Sequence, residues 1–123
     1  MPKTRLVVLL ALSVAGLALA ACERQTISSI NADPGRFMNR DINVAGQVTQ
    51  SIGASVGNLG GGVYQIDDGT GKLWVFVQGR SLPNKGAYVG ARGKMTPTVN
   101  FMGVSYPTVL KESDRRAGNS DTR

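Results

Sequence analysis

The chain has 123 residues, of which 16 are Gly and 18% are charged. That is enough for one domain with a modest core, and too little charge for wholesale disorder. Histidine is absent and Cys22 is the lone cysteine, which removes imidazole-based hydrolysis, His-based zinc sites, an internal disulfide and a CxxC redox centre. The formal net charge of +6 favours anionic partners only weakly and otherwise serves solubility.

Lys3 and Arg5 form a short basic start, and residues 6–21 (LVVLLALSVAGLALAA) carry no charge. A permanent membrane span needs about 20 apolar residues, so this stretch is short for an anchor and fits a secretory signal. Leu19-Ala20-Ala21-Cys22 then resembles the bacterial lipobox. The resemblance implies cleavage after Ala21, a diacylglycerol on the Cys22 thiol, and an acylated amine such as palmitate provides. One acyl chain holds a protein to a bilayer marginally, whereas two or three hold it stably. Glu23, not Asp, follows the cysteine, so the resemblance implies a cell-envelope location, at the periplasmic face of the outer membrane in a Gram-negative cell.

Residues 22–29 read as a lipidated polar tether. Ile27, Ile30 and Phe37 are spaced 3 and 7 apart, which suits one apolar helix face, with Ser28 or Ser29 as cap. Asp33-Pro34-Gly35 breaks the helix, because Pro disfavours helical geometry in the residue before it. Strand signals follow. Ile42, Val44, Gly46 and Val48 alternate with polar or small residues at a period of two. Residues 53–62 form a glycine-rich loop. Residues 63–66 and 73–77 read as the second and third strands, joined by an Asp67-Asp68-Gly69-Thr70-Gly71 turn. Residues 87–95 supply the fourth strand, with Val89, Ala91 and Gly93 on one face and Tyr88, Arg92 and Lys94 on the other. Residues 98–110 supply the fifth, and 111–123 read as a disordered polar tail. Five short strands with glycines at 46, 90, 93 and 103 predict a small all-β barrel whose strands bend at glycines.

The runs Gly46-Gln47-Val48, then residues 62–75 (GVYQIDDGTGKLWV), then residues 89–95 (VGARGKM) resemble the OB-fold. More narrowly, they are similar to bacterial nucleic-acid-binding OB domains of the tRNA-anticodon type and to exported stress-associated bacterial OB domains. The resemblance implies a five-stranded OB-like barrel over residues 30–110. Only residues 78–86, with Pro83 among them, could hold the helix that many such domains carry between strands three and four. The N-terminal helix over 28–39 is therefore expected to plug the barrel end with Phe37.

In that fold the ligand face lies on strands two and three. The resemblance puts Tyr64, Lys72, Trp74, Phe76, Arg92, Lys94 and Phe101 on or around it. Aromatics there would stack bases or sugars while Lys and Arg hold phosphates. Alternation sets Trp74 and Phe76 opposite Leu73, Val75 and Val77; they point outward if the aliphatic set is core. The other reading, in which they lie in the core or under the N-terminal segment, stays open. Asp67 and Asp68 lack the further acids of a calcium loop, and Gly60-Gly61-Gly62 lacks the Lys-Ser/Thr of a phosphate loop. No cofactor, metal or enzymatic activity is expected. The sequence predicts a membrane-anchored, non-enzymatic binding module. Its ligand would be a protein, a glycan or an anionic oligomer; nucleic acid follows from fold analogy alone, and an exported location argues against it. The alternative is a structural or assembly subunit of an envelope complex.

Overall fold

The computed structural model describes residues 24–53 and 60–118. The leader, Cys22 and most of the glycine-rich loop lie outside the described residues. Two short helices, α1 (Ile27–Ala32) and α2 (Pro34–Phe37), precede five strands: β1 (Asp41–Gly53), β2 (Gly61–Asp67), β3 (Lys72–Gln78), β4 (Tyr88–Phe101) and β5 (Val104–Gly118). The strands close into a ring in the order β1-β2-β3-β5-β4. All pairings are antiparallel except that of β3 with β5.

Strand β1 serves both halves of the ring. Its first half pairs with β4, from Asp41 to Gln47, and its second half pairs with β2, from Gln47 to Gly53. The strand must bend to do this, and a bulge between Val48 and Gln50 supplies part of the bend. Gly46 supplies close approach, since a Cβ there would run into the Asp67 carbonyl. Gly93 does the same against the Lys111 carbonyl on β5.

The inward set is aliphatic. Leu73, Val75 and Val77 of β3 meet Val44, Val48, Ile66, Val89 and Leu110 in one core. Ile27, Ile30 and Phe37 join it from the N-terminal helices. Burying Ile27 and Ile30 completely contributes roughly 1.5–3 kcal/mol each, far more than the intrinsic propensity of a six-residue helix. The helix start is held by Thr26, not by Ser28 or Ser29: its hydroxyl accepts from the Ser29 N–H at 3.3 Å. Burial of Ile27 pulls the helix start two or three residues earlier than the expected caps. The β2–β3 turn completes the attachment. The Asp68 carboxylate accepts from the Ile27 N–H at 2.9 Å, and the Thr70 hydroxyl from the Ser28 N–H at 3.1 Å. Residues 79–87, between β3 and β4, contain no helix.

Two expectations are corrected at the C-terminal end. The segment 98–110 is not one strand but the two sides of a hairpin. Met102 and Gly103 turn it with φ of 52° and 79°, the double positive-φ arrangement that two-residue hairpin loops require. Met-Gly does not advertise such a turn as Asn-Gly does. The segment 111–118 is not a disordered tail either, since β5 pairs with β4 as far as Gly118 opposite Tyr88. Its residues read as polar because most face solvent and the one buried position, Glu112, is an acid. Residues 119–123 lie outside the described residues.

Candidate binding face

Antiparallel partners share a face, so the strand register maps the barrel's outer wall. On β2 and β3 the outward pairs are Val63 with Phe76, Gln65 with Trp74, and Asp67 with Lys72. Across the parallel pairing, Val109 sits beside Trp74 and Lys111 beside Phe76. Trp74 and Phe76 therefore point away from the barrel core, and each is half-buried. Their cover is the β4–β5 arm, not the N-terminal segment. Tyr106 packs edge-on to Trp74 with ring centroids 4.8 Å apart and planes at 63°. Val63, Tyr106 and Val109 form a second small core, with Val99 and Phe101 against it. Beyond that cover an aliphatic rim is open: Ile52 is 37% exposed, Val104 50% and Met102 71%.

The expected site residues do not all meet here. Lys72 is exposed at the turn end of the face, and Phe101 lies on the arm. Tyr64 is corrected: it is fully buried inside the barrel, because alternation along β2 puts it opposite in sense to Val63 and Gln65. Arg92 is on a different wall, opposite Asn43 of β1 and Asp114 of β5. Lys94 reaches the face only through Lys111, its cross-strand partner, which adjoins Phe76. Sequence reasoning missed Val99 and Tyr106. Their signal is the apolar alternation on either side of Met102-Gly103, which a hairpin reading would have used.

Inside the barrel, Tyr64 belongs to a polar cluster around Glu112. The Tyr64 hydroxyl donates to the Glu112 carboxylate at 2.6 Å. Arg80 and Arg115 pair with that carboxylate at 3.2 and 3.4 Å. Arg115 also donates to the Ser81 carbonyl at 2.6 Å and stacks over the Tyr64 ring. Burial, then the bond to Glu112 and the Glu112 charge, push the Tyr64 hydroxyl far above the usual phenol range, with Arg115 opposing. Tyr64 is therefore a fixed donor at working pH, not a base or nucleophile. The Glu112 side chain has no solvent exposure, so the cluster has no room for a substrate. It ties the β3–β4 loop to β5.

The acidic turn is likewise occupied. Asp67 accepts from the Gly69 N–H at 2.8 Å. One Asp68 oxygen accepts from the Thr70 N–H, the Thr70 hydroxyl and the Gly71 N–H. Burial alone would raise the Asp68 carboxyl; the bonds from Thr70, Ile27 and Gly71 outweigh it and hold the group below the ordinary carboxylate range. Among the described residues, no cluster of three or more His, Cys, Asp or Glu could hold a metal ion.

No protein-family model matches the chain, and no curated protein matches it.

Proposed function

We propose that the chain is a membrane-tethered binding module of the OB type that docks a protein through the rim of its β2–β3 face. The ring order and the parallel β3–β5 pairing support the OB reading, and the Leu19-Ala20-Ala21-Cys22 motif supports the lipid tether. One observation carries the choice of ligand class. The aromatic face is closed by the chain's own arm, with Tyr106 seated on Trp74, and what stays open is the aliphatic rim of Ile52, Met102 and Val104. An aliphatic rim suits a protein surface; base stacking needs free ring faces. The absence of histidine from the sequence and the occupied carboxylates of the β2–β3 turn favour a non-enzymatic role.

The test is a photo-crosslinking residue placed in turn at Met102, Val104 and Ile52 in cells, with the same residue at Lys72 as control. A discrete protein adduct from Met102, weaker or absent from Lys72, supports the reading; no adduct from Met102, Val104 or Ile52 refutes it. The tether is tested by Cys22→Ser, which should release the protein from membranes or leave an uncleaved precursor, with acyl mass lost from the N-terminal peptide.

A second reading rests on Lys94 and Lys111. These like charges stand directly opposite each other on β4 and β5, an arrangement that costs stability and that a bound anionic oligomer would relieve. Salt-sensitive retention on heparin or single-stranded DNA, lost in Lys94→Ala with Lys111→Ala, would favour it.

A further inference from the structure

The wall formed by β1, β4 and β5 carries a cavity of about 450 Å³. Arg24, Arg92 and Arg116 line it, and Asp114 is the single acid among its lining residues. Register fixes the arrangement: Arg92 lies opposite Asn43 and Asp114, and Arg116 lies opposite Gly90. Space above Gly90 is open, since a Cβ there would meet nothing within 4 Å. Among the described residues, neither Arg92 nor Arg116 forms an ion pair. Arg92 and Arg116, both exposed, line the same hollow, and guanidinium forks match phosphate oxygens bidentately.

The position of Arg24 says where such an anion would come from. The Gln25 N–H donates to the Asn43 carbonyl at 3.0 Å, which fixes the N-terminal segment on β1 at the cavity. Arg24 is two residues from Cys22, a chain distance of at most about 7 Å. The polar layer of one bilayer leaflet is itself roughly 5–7 Å thick. An acylated Cys22 therefore holds the cavity at headgroup depth. We infer that the cavity receives the phosphate of an anionic phospholipid headgroup, which clamps the barrel to the bilayer in one orientation; this rests on the lipid-tether reading above. Ile52, Met102 and Val104 are not among the residues that line the cavity, so the clamp leaves the docking rim free.

The experiment is an arginine footprint. The full chain, expressed with its own leader and purified from membranes in neutral detergent, is reconstituted into vesicles of phosphatidylcholine alone or with about one third phosphatidylglycerol. Phenylglyoxal modification of each arginine is then followed by peptide mass spectrometry. Arg92 and Arg116 should react at least fivefold more slowly in the anionic vesicles, with exposed Arg36 and Arg40 changing far less. Equal rates for Arg92 and Arg116 in the two lipids overturn the proposal, as does uniform slowing of all four. Inorganic phosphate added to the phosphatidylcholine vesicles separates the sources. Protection by phosphate without protection by phosphatidylglycerol keeps an oxyanion site but overturns the headgroup assignment. If the purified chain carries no acyl mass, the tether reading fails. The same footprint with vesicles added from outside then tests the cavity alone, and loss of protection there refutes it.

Discussion

Removal of the Glu112 carboxylate is the most informative perturbation of the barrel interior. Its side chain is fully excluded from solvent, accepts from the Tyr64 hydroxyl at 2.6 Å and faces two arginines. In Glu112→Ala the buried Tyr64 hydroxyl loses a charge-assisted bond worth about 1.5–3 kcal/mol. The Arg115 side chain, 17% exposed, loses its carboxylate partner. The Arg80 side chain is 40% exposed, and water replaces most of that pairing, so it adds at most about 1 kcal/mol. A total of roughly 3–5 kcal/mol follows, the usual cost of stranding one side of a buried pair. At about 4–8 °C per kcal/mol for a domain of this size, Tm should fall by at least about 12 °C. Urea unfolding followed by the single tryptophan, Trp74, measures the same loss, with the m value separating stability from compactness. Glu112→Gln keeps an acceptor for Tyr64 and should cost about half as much. A double-mutant cycle with Tyr64→Phe should return a coupling of about 1 kcal/mol or more. A Glu112→Ala loss below about 1 kcal/mol at constant m would mean that the carboxylate is solvated and the cluster does not exist.

Three further outcomes are expected. Tyr106→Ala should red-shift the Trp74 emission and raise its quenching by acrylamide, and should cost about 0.5–1.5 kcal/mol for the ring pair beyond the lost area; unchanged emission would mean that the arm does not cover the face. Gly93→Ala should destabilise by about 1–3 kcal/mol through collision with the Lys111 carbonyl, read as a lower urea midpoint, whereas Gly69→Ala, with open space around it, should cost only its positive-φ strain. Asp68 is held below the ordinary carboxylate range in the folded state, so its stabilisation is present above about pH 4, the unfolded value, and is lost as pH falls through the folded value; Asp68→Asn should flatten that acid limb in a pH series of urea midpoints.

The sequence made the aliphatic interior legible because alternation over Leu73 to Val77 and over Val89 to Gly93 has the strict period of a one-sided strand. The Asp67-to-Gly71 turn was legible for the same kind of reason, since each side chain there serves its own backbone. The arm was not legible. Its turn depends on Met102 taking a positive φ that only the pairing of Phe101 with Val104 imposes, and no local preference marks it. Once the arm is missed, the burial of Trp74 cannot be read, because the ring that covers it comes from a segment assigned to one straight strand. Glu112 was illegible for a different reason. A lone acid in KESDRR looks solvated unless the inward phase of β5 is known, and that phase is set by the neighbouring Leu110 opposite Met95. The resemblance grouped Arg92 and Lys94 with the aromatics, whereas both sit on β4, which β1 and β5 separate from β2 and β3 in the ring.

Closure of the ring depends on a short seam: Trp74, Val75 and Phe76 against Val109, Leu110 and Lys111. Everything before the last strand leaves an open sheet with two raw edges. A polypeptide wired in this way cannot lock until its last strand, Val104–Gly118, has been made.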